Sequence, residues 1–450
     1  MLKLLGLTVL ILIILGFVGC SADPVPDANV DVTVLTMLFH ADPVISSEMS
    51  DITNWFNKTN KERVFVELLF TSMNIERILY SMIATDDPPD IFYIPAGYFH
   101  RIASEGRLLD MGTLPGFNVG EFLPLSVWRY EGRVYGLSTF ESNLFLAYDT
   151  DMFVRRGVPP PPSRFEDALD KEAFLQMAQH VTIDRNGNNA LHPDFGADSI
   201  AVFGFNQGPW FNHILTMVYS AGGSLLNADR TNTVFATDPW VDTIYWLNRL
   251  IYVYRVSPTP LEAAGFPPYP FVGGAFATQI DGRESMMWLN NLRMNVGVAI
   301  LPDLGHGPFT MSTPSVASIF SETEHPNLAW EFYRFKIDVR YGATELFAQG
   351  LWQPILEIWY TDPDYLAVWT DNYRHPESFF GGIVDMSLRP ERNVRLPSQY
   401  IIQFEEITAI VNPALQQIWG QQMTRAEITE IMTNVQRDIE ANNGFRGTFD

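Results

Sequence analysis

The chain is expected to fold as an α/β protein of two lobes joined by a hinge. Three observations lead there. Extended and helical patterns alternate in βαβαβ order from Val32 to Ile94, which implies a largely parallel sheet covered by helices. Once an N-terminal leader is set aside, about 430 residues remain, too many for one ordinary core. The middle of the chain then changes character, with a hairpin pattern at 129–136 and a proline run from Pro159 to Pro162.

The elements follow in order. Val32 to Met37 is rich in β-branched residues and reads as the first strand. Met49, Ile52, Trp55 and Phe56 share one face of a helix, and Trp55 is read as core. Val64 to Leu68 is a second strand. Ile75, Ile78, Leu79 and Met82 make the next helical stripe, which Pro88 and Pro89 stop. Asp90 to Ile94 is a third strand. Glu131-Gly132 turns a hairpin, and Phe145 to Tyr148 is a strand leading out of the first lobe. The four prolines form a rigid spacer before a helix at 164–179. Asp184 to Asn188 is a turn. Asp238 is placed to cap a helix with Pro239 at its first position, and Trp240, Ile244, Leu247 and Ile251 share its buried face. Gly297 to Pro302 reads as a strand returning to the first lobe. Pro326 opens a helix that carries Ala329, Trp330, Phe332, Tyr333 and Phe335, with Trp330 in the core. Thr424 and Glu427 make a capping box for a last helix along Ile428, Ile431, Met432 and Val435.

The N-terminus carries a targeting pattern. Lys3 precedes an apolar run from Leu4 to Val18, and Gly19 precedes Cys20, the single cysteine. This reads as a lipoprotein signal peptide over 1–19 with lipidation of Cys20 and a polar tether over 20–30. The run is short for a membrane span of roughly 20 residues, and no basic stop-transfer flank follows. With no second cysteine, no intramolecular disulfide is available to an exported chain. Acidic residues number 52 against 29 basic, a formal charge of −23. That disfavours nucleic acid and anionic membrane surfaces as partners. The expected location is the outer face of the bacterial cytoplasmic membrane, reached through the lipid anchor alone.

Catalytic signatures are missing. The sequence holds no HExxH, CxxC, GxxxxGK[ST] or GxSxG, and its eight histidines lack metal-ligand spacing. No cofactor and no metal are expected. Asp184, Asn186 and Asn188 imitate the start of a calcium loop, but position six is Asn189 and position twelve is Phe195, so a plain Asn-Gly turn explains them better. Glu141 and Asp42 are conceivable partners in a glycosidase pair, although spacing alone does not bring them together. The aromatic content is more suggestive, with 11 tryptophans, 17 tyrosines and 32 phenylalanines. A sugar ring stacks its apolar face on an aromatic ring and needs polar groups around its edge. Phe39-His40-Ala41-Asp42, Glu141-Ser142-Asn143, Asn206 to Trp210, Trp288-Leu289-Asn290 and Trp352-Gln353 each offer both, in segments read as strand ends or loops.

Several short segments resemble one family, in the same order along the chain. They are Pro88-Pro89-Asp90-Ile91, Gly132 to Leu137 with Ser138 where proline is usual, and Leu146 to Phe153 with Asp149 in place of asparagine. Gly157-Val158-Pro159-Pro160 with Phe165 follows, lacking the usual tryptophan. Ala221 to Asn227, Phe271 to Ala277 without the usual lysine, Gly297 to Pro302, and Ala329 to Phe332 complete the series. Together they resemble the extracellular solute-binding proteins of ABC importers, in the sugar-binding branch that includes maltose-binding lipoproteins. The resemblance implies a periplasmic-binding-protein-like fold with ligand in an interlobe cleft, and a closed form that docks on a permease. It implies a first lobe from 31–145 and 297–350 and a second from 146–296 and 351–450. It further implies a site drawn from Phe39, His40, Asp42, Tyr93, Tyr98, Glu141, Trp210, Trp288 and Trp352, with Tyr400 from the late second lobe. Asn143, Asn290 and Gln353 join as hydroxyl-recognising neighbours.

The expected function is capture of a carbohydrate, taken as an oligosaccharide, by a monomer that performs no chemistry and delivers it to an ABC permease. Two alternatives stay open from sequence: an exported carbohydrate-active enzyme, and a surface lipoprotein that binds a non-sugar solute.

Overall fold

The computed structural model describes residues 32–442, apart from 41–42, 62, 72–73, 209, 339–346, 348–351 and 372. Cys20, the leader and the tether lie outside the described residues, as does Asp42. In chain order the strands are β1 (Thr33–His40), β2 (Val64–Thr71), β3 (Ile91–Ile94), β4 (Val127–Tyr130), β5 (Arg133–Phe140), β6 (Leu144–Asp149), β7 (Ile183–Asp184), β8 (Ile200–Val202), β9 (Thr278–Gly282), β10 (Val296–Ala299), β11 (Thr310–Met311), β12 (Ser315–Ile319) and β13 (Asn393–Val394).

The first sheet has the order β2-β1-β3-β12-β5-β4. β1 runs parallel to both β2 and β3, as the βαβαβ pattern requires. Alternation sorts its side chains: Leu35, Met37 and Phe39 enter one core layer and Leu38 the opposite one. Helix Pro43–Asn60 covers the first layer through Met49, Ile52 and Phe56. Helices Ile75–Ala84 and Phe99–Ser104 cover the second through Ile75, Leu79, Phe99 and Ile102. The hairpin β4–β5 turns at Glu131 and Gly132, whose φ values of 50° and 77° are the left-handed pair of a two-residue turn.

The second lobe is built on the sheet β10-β6-β9, all antiparallel neighbours. Its larger core is helical. Trp240, Ile244, Leu247 and Ile251 of helix Asp238–Tyr252 meet Leu415 of helix Phe404–Trp419 and Ile428, Met432 and Val435 of helix Arg425–Ala441. The Thr424–Glu427 capping box opens that last helix as expected.

Four expectations change. The strand near Gly297 is β10, and it stays beside β6 in the second sheet. The strand that enters the first sheet between β3 and β5 is β12, antiparallel to both. The helix expected at 164–179 is a short 3₁₀ turn, Phe165–Asp167, followed by helix Lys171–Val181. It starts late because the Asp170 carboxylate caps the amides of Glu172 and Ala173. Thr237, rather than Asp238, flanks helix Asp238–Tyr252, with Pro239 in its first turn. Trp55 is not core: it is 42% exposed and packs edge-on against Phe335 at 5.4 Å. Ile52 and Phe56 take the inward stripe, which leaves Trp55 on its margin.

Candidate functional site

The carboxyl ends of β1, β2 and β3 and the end of β5 lie along one edge of the first sheet. In α/β sheets that edge is where ligands bind. Register pairs Phe39 with Phe70 and His40 with Thr71. Phe39 is buried and touches Phe70 edge-on at 6.5 Å and Tyr93 at 5.5 Å. The Tyr93 hydroxyl donates to Ser315 Oγ at 2.8 Å. Phe70 keeps 40% of its surface exposed at the rim. Beyond the same edge Tyr98 ends a short 3₁₀ turn, its ring under the Arg101 guanidinium at 5.1 Å.

From this edge three chain segments run side by side toward the second lobe. Glu141 and Gln353 exchange two backbone hydrogen bonds of 3.0 Å, Asn143 bridges Ser312, and Ser315 pairs with Phe140. Phe140 stacks on Trp352 at 4.7 Å with the rings 8° apart, a contact contributing about 0.5–1.5 kcal/mol beyond burial. Trp352 is thereby enclosed, and its Nε1 has no partner among the described residues.

These segments share a buried polar network. The Glu141 carboxylate accepts from Ser126 Oγ at 2.6 Å and from Ser312 Oγ. Burial pushes this carboxyl up to about 7, against the pull of its hydroxyl donors. The Asn143 amide N–H donates to Gln353 Oε1 at 2.9 Å, and its side chain donates to Ser387 Oγ at 2.8 Å. Asn393 Nδ2 donates to Asn143 Oδ1 at 3.1 Å, and Gln353 Nε2 to Ser387 Oγ at 2.7 Å. A cavity of about 190 Å³ borders Glu141, Asn143, Ser387 and Asn393.

A second polar group starts from Ser142. Its Oγ donates to the Glu284 carboxylate and accepts from the Arg283 amide at 3.0 Å. Asp281 accepts from Gln279 Nε2 at 2.6 Å, and burial with the neighbouring Glu284 carboxylate pushes its carboxyl up to about 7. Gln279 bridges Asn206, so the segment leading to Trp210 is pinned to β9. Trp210 sits just before helix Phe211–Ser220 and is 66% exposed. Arg283 is wholly buried over the Phe379 ring at 4.5 Å, and its Nη2 bonds the Phe347 carbonyl at 3.1 Å. Burial lowers it to about 9.

The expected residues thus separate into groups. Phe39 and Tyr93 gather at the sheet edge, where His40 closes β1. Glu141, Asn143, Trp352 and Gln353 meet in the crossing segments. Trp210 lies just before helix Phe211–Ser220, beyond the Asn206 segment that pairs with β9. Trp288, 38% exposed, and Asn290, whose Nδ2 donates to the Arg374 carbonyl at 3.2 Å, lie on helix Ser285–Asn291. Tyr400 lines a cavity of about 720 Å³ with Tyr219, Phe309 and Asn393, and Asn393 also borders the cavity at Glu141 and Asn143. Ser142 belongs to the segment singled out from sequence, whereas Ser126, Ser312, Asp281, Arg283 and Glu284 were not foreseen. Ser126 and Ser312 carry no pattern, and Asp281 is distinguished only by lying near the end of β9.

The architecture is that of the two-lobed, periplasmic-binding-protein-like fold. An ABC substrate-binding protein from Listeria monocytogenes, in complex with cycloalternan, matches 91% of this chain over 100% of its own, at 19% identity and a TM-score of 0.73. The cyclic alpha-maltosyl-1,6-maltose binding protein of Arthrobacter globiformis matches 91% over 100% of its own, at 16% identity and a TM-score of 0.71. An ABC transporter solute-binding protein from Thermotoga lettingae, bound with alpha-D-tagatose, matches 90% over 99%, at 17% and 0.67. No protein-family model and no curated protein matches the chain. Among the described residues no helix is long and apolar enough to cross a membrane.

Proposed function

We propose that this protein is an extracytoplasmic binding protein that captures a carbohydrate between its lobes and delivers it to an ABC permease. The reading is supported by two places where rings and polar groups occur together. Phe70, Phe39 and Tyr93 lie at the first-sheet edge, and the exposed Trp210 ring follows the Asn206 segment that pairs with Gln279, itself bonded to Asp281. The exposed Phe70 and Trp210 rings supply stacking faces and the polar groups match hydroxyls; a sugar without a matched hydroxyl leaves a group unsatisfied. The three compared proteins, each described with or named for a sugar ligand, support the same reading. Glu141 fits a binding and hinge role better than acid–base catalysis, because both its oxygens already accept protein hydroxyls. Lipidation of Cys20 would tether the chain beside its permease.

The test is calorimetric titration of the signal-free protein with pooled oligosaccharides, after unfolding and refolding to strip any carried ligand. A saturable heat at micromolar concentration or below is expected, and dividing the pool names the sugar. Absence of heat from folded protein overturns the carbohydrate assignment. Release of smaller sugars from the pool would instead reveal an enzyme.

A further inference from the structure

Beside the Glu141 network a larger cavity of about 720 Å³ opens, sharing Pro390 and Asn393 with the smaller one there. Its volume is that of a small-molecule site. Two arginines, Arg230 and Arg395, line it against one carboxylate, Glu391. This reverses the balance of the whole chain, where 52 acidic residues face 29 basic ones. Local charge of the opposite sign selects what enters a cleft.

Both guanidiniums are mounted by the fold. Arg395 follows β13, and strand alternation puts it on the same face as Asn393, which also lines the cavity. Its Nη2 reaches the Pro124 carbonyl of the first lobe at 3.5 Å. Arg230 stands in a turn closed by Asn227, whose Oδ1 accepts the amides of Thr231 and Asn232 at 2.8 and 3.1 Å. The turn holds Arg230 at φ 54°, the left-handed region that such a side chain seldom takes. Strain of this kind gathers at ligand clamps, where the surroundings enforce it. The two charges meet around Tyr400, a neighbour of Tyr219 in the same lining. Burial raises the Tyr400 hydroxyl well above its usual range and Tyr219 adds to the rise, while the charges of Arg230 and Arg395 both pull against it. A third guanidinium, Arg392, lies over the Phe309 ring at 5.0 Å.

The chemistry of the lining selects the occupant. A guanidinium has five donors and no acceptor, so it has donors to offer even when some are engaged, and its planar fork matches a carboxylate. Tyr219 and Phe309, both half-buried, set two ring faces 5.9 Å apart beside those donors. A small inorganic anion would leave the rings uncovered, whereas a ring that carries a carboxylate meets both. We propose that this cavity takes a sugar acid, its carboxylate held by Arg230 and Arg395 and its ring against Tyr219 and Phe309. The sugar half of the proposal rests on the carbohydrate reading above; the anionic half rests on the two arginines.

Glucuronate is the probe, with glucose as the ring that lacks the carboxylate and acetate as the carboxylate that lacks the ring. Each is titrated into the signal-free protein by calorimetry. Glucuronate binds one per chain and weakens as salt is raised. Glucose and acetate bind at least about tenfold more weakly, since each leaves half of the lining unmatched. Arg230→Gln and Arg395→Gln each weaken glucuronate about tenfold, the loss of one charge-assisted pair, and keep a cooperative melt. Should Arg395→Gln loosen the contact with Pro124, Arg230→Gln on its exposed turn decides alone. No saturable glucuronate binding, equal affinity for glucose, or full binding in Arg230→Gln overturns the proposal. Silence from glucuronate while a neutral oligosaccharide binds overturns this site and leaves the carbohydrate reading standing; silence from both overturns the two together.

Discussion

Glu141 shows how one buried carboxyl ties the crossing segments to pH. Its folded value is raised to about 7, above the ordinary carboxylate range, so the folded protein binds its proton more tightly than the unfolded chain. The stability that accompanies protonation is fully present below the unfolded value and is lost as pH rises through about 7. Glu141→Gln keeps a polar group between Ser126 and Ser312 but carries no charge. Its unfolding free energy, from denaturant melts at pH 5 and pH 8, is therefore expected to fall less with pH than that of the parent. The difference is on the order of 2 kcal/mol. Equal pH dependence in the two proteins would show that the carboxyl is not desolvated as described. Trp210 is the opposite case, exposed and without a capping bond to the helix it precedes. Trp210→Ala should shift the stability of the unliganded protein by less than about 0.5 kcal/mol. The same change should weaken sugar binding at least about tenfold in calorimetry, the loss of one stacking face.

Between helices, polar side chains decide how the second lobe is closed. Asn248 is fully buried on helix Asp238–Tyr252, and its Nδ2 donates to the carbonyls of Ile418 and Gln421 at 2.8 and 2.9 Å. Its Oδ1 accepts the Met423 amide at 3.2 Å. One side chain thus satisfies backbone groups left open where helix Phe404–Trp419 ends. Asn248→Leu is expected to destabilise the protein by about 2–3 kcal/mol, because those groups become buried and unpaired. A chemical denaturation midpoint unchanged by the substitution would contradict the clamp. This contact joins residues 170 or more apart in the chain. No local pattern announces it, whereas the Thr424–Glu427 box was readable because both partners lie within one turn.

Across the whole molecule, the lobes are linked by three neighbouring segments, and the late chain also reaches the first lobe. Gln399 Nε2 donates to the Leu125 carbonyl at 2.8 Å. If the lobes close on a sugar, the radius of gyration in solution scattering should fall on saturation with the ligand found by calorimetry. An unchanged radius at saturation would remove closure from the mechanism.

Much of the fold was legible because it rests on short-range rules. Strands β1 to β3, helices Pro43–Asn60 and Ile75–Ala84, the Glu131-Gly132 turn and the stripe from Trp240 to Ile251 follow from side-chain periods and turn chemistry, which act within a few residues. Trp55 marks the limit of such reasoning: helical spacing placed it on the apolar stripe, but only the packed neighbour decides where that stripe ends. Site residues were less legible for the same reason. Glu141, Asn143 and Gln353 stood out as polar residues beside aromatics, yet their partners Ser126, Ser312 and Ser387 come from distant segments and have no signature of their own. Sequence by itself determined the α/β class, the alternation that buries each strand, and the Thr424–Glu427 capping box, since these depend on neighbours along the chain. The tertiary structure alone decided that β12 rather than β10 enters the first sheet, that Trp352 is sealed under Phe140, and which hydroxyls meet the Glu141 carboxylate. Those outcomes depend on the long-range pairing of strands and on desolvation, which come into being only when the lobes pack.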